Sequence, residues 1–148
     1  MKRLTLYLVL VLLPVTALAG EKVKGTDFFV VDEQSWKTGN NTGYWIWHGK
    51  GVSQPLSGPF ESEVIECHGA GFWDKDDSWG EGICMHGSGD DTRTTGWKRD
   101  KGQKVGQWKI LTGTGKFEGI TGQGTYKPTP LARDYHVAEI EGEVTLGE

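Results

Sequence analysis

"GTGKFEGITGQGTY", residues 113–126, holds five glycines in fourteen positions and sets a lysine directly after one of them. The stretch either cradles a phosphate or bends a chain, and the choice separates a nucleotide-dependent enzyme from a small β-protein. A phosphate-binding loop needs G-x-x-x-x-G-K followed by Ser or Thr, whose hydroxyl meets Mg²⁺. Here Gly115-Lys116 is followed by Phe117, and the upstream position that should be glycine is Ile110. The dinucleotide fingerprint fails as well, because its third glycine would fall on Glu118. No helical pattern follows the stretch, and both motifs depend on a helix N-terminus for their electrostatics. The loop bends a chain.

Working outward from it, strand-like runs alternate with turn clusters. Thr26 to Asp32 reads as a first strand, with two aromatics and two valines in a row. After the turn cluster Lys37 to Gly43 comes Tyr44 to His48, closed by a loop with Pro55, Gly58 and Pro59. Further strands are expected near 61–73, 79–86, 92–98, 106–111 and 121–127. The last, Tyr135 to Leu146, puts His136, Ala138, Ile140, Val144 and Leu146 on one side and Glu139, Glu141 and Glu143 on the other. About eight short strands without a 3.6-residue period define an all-β fold, either sandwich or barrel. Glycines inside the strand-like segments favour the barrel, because closing a small sheet needs sharp local bends.

Gly113, Thr114, Gly115, Lys116, Phe117, Gly119, Ile120, Gly122, Gly124, Thr125 and Tyr126, led in by Trp108 to Leu111, carry a resemblance. The stretch resembles a signature in bacterial secreted proteins related to the allene oxide cyclase and dirigent barrels. That resemblance implies an antiparallel eight-stranded closed β-barrel (allene oxide cyclase-like), with this segment linking two late strands. It also permits a cofactor-free isomerase or cyclase activity and association into oligomers. The cyclase and dirigent catalytic positions find no match in this sequence, and fold alone does not carry function.

At the other end, Lys2 and Arg3 precede an apolar run from Leu4 to Val15, and Ala17-Leu18-Ala19 offers small residues before Gly20. Residues 1–19 read as a secretory signal peptide, too short for a membrane span. No Cys follows it, which disfavours a lipoprotein. Residues 20–148 then form a single β-barrel domain, periplasmic or secreted. Net charge is -4, and removing the two basic residues of the signal takes it to -6. With no basic run beyond Lys98-Arg99, neither nucleic acid nor an anionic membrane is an expected partner.

Cys67 to Cys84, "CHGAGFWDKDDSWGEGIC", reads as a hairpin turning at Asp74 to Asp77. That turn pairs residues whose numbers sum to 151, which sets Cys67 opposite Cys84, Gly69 opposite Gly82 and Gly71 opposite Gly80. A cross-strand disulfide follows, worth roughly 2–4 kcal/mol at most in so tight a loop. A metal site built from Cys67, His68, Cys84 and His86 is the rival. Adjacent strand residues point to opposite faces, so Cys67 and His68 cannot serve one ion, and no metal or other cofactor is expected. The acidic turn also fails the calcium-loop test, since Trp79 and Met85 stand where Gly and Glu are required.

One face of the hairpin carries Glu66, His68, Ala70 and Phe72 beside Trp79, Glu81, Ile83 and Met85. The other carries the cysteines, four glycines, Ile65, Trp73 and His86. If the first face lines the interior, Glu66 and His68, joined by His136, are candidate acid–base catalysts among aromatics. A solvated or locally satisfied role is the plainer reading of each. Asp90, Asp91 and Arg93 read as a loop salt-bridge set. No Ser/His/Asp order supports a nucleophilic hydrolase. Trp45, Trp47, Phe72 and Trp79 are candidate ligand contacts, against the plainer reading that indoles fill space left by glycines. The leading expectation is an exported barrel that holds a small apolar or aromatic ligand without catalysis. A cofactor-free isomerase or cyclase and a purely structural homo-oligomer are the alternatives.

Overall fold

Burial alternates along the first strand with a period of two, although both of its faces carry apolar residues. Val23, Asp27, Phe29 and Val31 are buried, while Phe28 and Val30 between them are exposed. The computed structural model describes residues 20–132 and 134–147, so the expected signal peptide, 1–19, lies outside the described residues. Eight strands run β1 (Glu21–Gly39), β2 (Thr42–Ser57), β3 (Glu63–Asp74), β4 (Asp77–Ser88), β5 (Asp91–Arg99), β6 (Gly106–Gly113), β7 (Thr121–Ala132) and β8 (Tyr135–Thr145). Each pairs antiparallel with its neighbour in sequence, and β8 pairs with β1, which closes the barrel. Closure leaves no free sheet edge around the ring.

β1 outruns its expected limits, 26–32, at both ends and enters the expected turn cluster, and two further strands run on through prolines that sit where the ladder tolerates them. Pro55 of β2 lies opposite Gly25 at a register shift, where its missing N–H is accommodated. Pro128 and Pro130 lengthen β7 beyond Lys127. There β7 pairs with β8, whereas its pairing with β6 spans only Gln123 to Tyr126. The free side of this half-strand accepts proline.

The glycine-rich loop occupies one end of the barrel. A 3-10 turn, Gly115–Phe117, buries the Phe117 ring, which meets Phe60 edge-on with centroids 6.1 Å apart. Gly115 (φ +56°) and Gly119 (φ +73°) adopt the left-handed conformation that frames this turn. The backbone N–H of Lys116 does hold an anion, but it is the protein's own: it donates to Asp91 Oδ1 at 3.0 Å. Thr114 ties the loop to β5, its hydroxyl donating to the Asp90 carbonyl at 2.7 Å.

Glycines also face one another across the inner wall, at Gly69–Gly82, Gly71–Gly80 and Gly124–Gly142. Each pair seats an indole. A Cβ on Gly82 would lie 2.5 Å from Trp97, one on Gly80 2.7 Å from Trp45, and one on Gly142 2.5 Å from Trp108. Flat rings on bare backbone keep the wall thin and the interior wide. A Cβ on Gly82 would also collide with the His68 carbonyl, so Gly82→Val should displace both Trp97 and the facing strand and destabilise the barrel by about 1–3 kcal/mol or more. A urea melt followed by tryptophan emission checks this, and an unchanged midpoint would mean that neither the indole nor the facing backbone constrains this position.

Candidate functional site

The hairpin register fixes the inward face. All pairs from Ile65–His86 to Asp74–Asp77 keep the expected sum, and Cys67 and Cys84 form the disulfide, with Cα atoms 4.0 Å apart. Cys67 and Ile65 are almost fully buried and pack with Phe29, Val31, Cys84 and Ala138 in the core. The cysteine face therefore points inward, and the Glu66 face points out. Glu66, His68, Phe72 and Trp79 lie on the outer surface, away from the cavity, with Phe72 56% exposed. This corrects the expectation of a site enclosed by the Glu66 face. A strand has only two faces, and the small, apolar one packs inside. Of the expected site residues, Trp45, Trp47 and His136 do line the interior.

Inside the barrel lies a cavity of about 380 Å³, lined in part by the core residues Phe29, Cys67, Cys84 and Ala138. Its aromatic walls hold each other in place. Trp45 stacks on Trp97 with centroids 6.4 Å apart, while Trp47 and Tyr126 meet Trp97 edge-on at 6.1 Å. The Trp45 indole N–H donates to Ser78 Oγ at 3.1 Å, and Trp108 donates to the backbone carbonyls of Thr125 and Glu141. Burial pushes the Tyr126 phenol up to about 12, so it stays a neutral donor.

Toward the loop end, four ionisable groups converge: Asp27 of β1, Glu63 of β3, His86 of β4 and Arg93 of β5. Arg93 is buried, ion-paired with Glu63, and lies 3.8 Å from the Phe60 ring centroid. Its Nη2 donates to His86 Nδ1 at 3.2 Å. His86 Nε2–H then faces Thr95 Oγ1 at 3.2 Å, and the Thr95 hydroxyl reaches the Cys84 carbonyl at 3.5 Å. Both ring nitrogens are engaged in this chain. Burial, and secondarily Arg93, hold the His86 pKa well below the usual range, so the ring is neutral. Burial also raises the Glu63 carboxyl, against the pull of Arg93.

Asp27 is different. It is 6% exposed and lines the cavity, and its Oδ1 has neither a hydrogen-bond nor an ion-pair partner among the described residues, whereas Glu63 Oε1 and Arg93 Nη1, also without hydrogen bonds, face each other as an ion pair. Burial lifts its pKa to about 6, with the Ser53 hydroxyl and Arg93 pulling the other way. A carboxyl whose pKa burial raises toward neutrality, with one oxygen free in an aromatic cavity, can give or take a proton.

None of these four was a sequence candidate for catalysis. The sequence groups Arg93 with Asp90 and Asp91, but those two hold the glycine loop, while Arg93 turns into the barrel. The signal for Asp27 lies in its phase: it shares the inward register of Val23, Phe29 and Val31. His86 likewise shares the cysteine face.

A closed β-barrel with an aromatic cavity and one free buried carboxyl is the class that fold and site define. The sequence matches no family model and no curated protein. Among solved structures it is similar to the pterocarpan synthase dirigent protein GePTS1, with a TM-score of 0.53 and 12% identity over 94% of this chain and 98% of that one. The barrel is thus a dirigent-like fold. No helix of the described residues is long and apolar enough to cross a membrane.

The unusual direction of the Asp27 shift has a thermodynamic signature. Its folded pKa, about 6, exceeds the ordinary 3.8, so the native state binds the proton more tightly. Its contribution is fully present below about pH 4 and is lost as pH rises through 6. Neutral His86 acts oppositely, favouring the fold as pH rises through the imidazole range. The Asp27 share must therefore be read as a difference between proteins. Asp27→Asn should be more stable than wild type at pH 7, by on the order of 2 kcal/mol, with the gap closing toward pH 4. Urea melts across that range measure it, and a gap independent of pH would exclude the assignment.

Proposed function

We propose that the barrel binds a small, planar, largely apolar molecule against Trp45, Trp97 and Trp108, and that Asp27 moves a proton on it. The reaction is a cofactor-free isomerisation or cyclisation. The observation that carries this reading is the unpartnered Asp27 oxygen at the wall of the aromatic cavity. The cavity volume falls at the lower end of the range for ligand sites, about 300–1,000 Å³. A protonated Asp27 donates to an oxygen of the bound molecule, and its carboxylate then recovers a proton from the same molecule. The step is redox-neutral and consumes nothing else. Arg93, a fixed positive charge at the same end, favours negative charge developing on the substrate oxygen. The walls fold the substrate into one reactive shape. The similarity to a protein described as a synthase supports catalysis in such a barrel.

Simple storage of the ligand is the second reading, favoured by how completely the indoles line the interior. Export to the periplasm or outside the cell belongs to the proposal; the disulfide and the apolar run of residues 4–15 support it. A purely structural homo-oligomer would take up no ligand.

A panel of small aromatic and polyene compounds, followed by quenching of tryptophan emission, tests binding. Trp97→Ala should weaken uptake at least about tenfold, a loss of 1.4 kcal/mol. Asp27→Asn should keep affinity but abolish conversion of the ligand, seen by chromatography of the extracted compound. Retained ligand that neither protein converts would favour storage, and no uptake by the wild type would leave the structural role.

A further inference from the structure

On the outside of the barrel, β2 and β3 bring two histidines and a carboxylate together. His48 lies directly opposite His68 in the strand register, and Glu66 lies two residues before His68 on the same outward face. The imidazole rings stack with centroids 4.4 Å apart and planes within 5°. Glu66 Oε1 is 3.0 Å from His48 Nε2 and 3.5 Å from His68 Nε2. One ligand atom from each residue lies within 4.8 Å of the other two, the one such group among the described residues.

We propose that His48, Glu66 and His68 form a surface site for a divalent transition-metal ion, zinc or copper(II). Two imidazoles and one carboxylate are the nitrogen and oxygen donors such ions take. With metal–ligand bonds of about 2.0–2.2 Å, donors at the corners of a tetrahedron stand roughly 3.3–3.6 Å apart. Of the observed separations, 3.5 Å lies within that range and 3.0 Å a few tenths of an ångström below it, so small side-chain rotations seat an ion. The alternative is a crowded arrangement in which Lys50, at 3.3 Å, and both rings converge on a single carboxylate oxygen. Lys50 is 64% exposed on a flexible stem and swings into solvent when an ion enters.

The wall behind the site is braced. Cys67, between the ligands Glu66 and His68, is bonded inward to Cys84, and Gly49 beside His48 is its partner on β2. The disulfide thus holds β3 while its neighbours present the ligands outward. Three protein ligands leave a coordination position open to solvent. The site lies across the barrel wall from the cavity and stands or falls independently of Asp27. It revises the expectation of no metal: adjacency does keep Cys67 and His68 from sharing an ion, but His48 arrives from the next strand.

Titration calorimetry of tag-free protein with Zn²⁺ alone, and with Cu²⁺ alone, tests the proposal. One ion per chain is expected. His48→Ala, His68→Ala and Glu66→Gln should each weaken binding by more than the roughly 10–100-fold that loss of an outer-shell partner costs. Lys50→Ala should tighten it, and His136→Ala should leave it unchanged. Thermal melts supply an independent readout: Zn²⁺ should raise the Tm of the wild type but not of Glu66→Gln. Absence of saturable binding to the wild type, or unchanged affinity in the three ligand variants, overturns the site.

Discussion

Indoles seated on paired glycines are the constraint from which the rest of this barrel follows. A small eight-stranded barrel normally fills its interior with side chains. Here the inner wall is stripped to backbone at Gly69–Gly82, Gly71–Gly80 and Gly124–Gly142, and Trp97, Trp45 and Trp108 lie flat against it. The rings supply the apolar area that the missing side chains would have given, but they leave space between them. Stability and cavity come from the same residues. A wall of Val or Leu would have produced a solid core and no site.

The polar end of the cavity is tolerable because most of its groups satisfy one another. Arg93 pairs with Glu63, stacks on Phe60 and donates to His86, which reaches the Cys84 carbonyl through Thr95. Such a chain holds each member in one state. Asp27 is left with a free oxygen at a cost in stability, and this is the group on which the proposed proton transfer rests. The disulfide performs a further division, separating an inward surface of cysteine and glycine from an outward one of histidine and glutamate.

Much of this was legible in the chain. The hairpin at Asp74 to Asp77 is set by local turn chemistry and by cysteine spacing, and every pair in it follows from a single sum. The eight strands and their closure could be read from two-residue alternation, interior glycines and the loop at residues 113–126. The lengths of β2 and β7 could not, because proline looks like a terminator until the free side of its strand is known. Asp27 was visible only as one polar residue in an apolar phase, a signal with no weight until that phase is shown to face a cavity.

What the sequence alone determined is what short-range chemistry controls: strand content, turn positions, the cysteine pair, and the structural nature of the glycine loop. Tertiary structure alone decided which hairpin face turned inward, and therefore that Glu66 and His68 sit outside with His48 while His86 sits inside with Arg93. Alternation says that two faces exist, not which one is buried. That choice is made by the whole closed ring, where the face bearing cysteines and glycines fits the narrow interior and the face bearing charge and bulk does not.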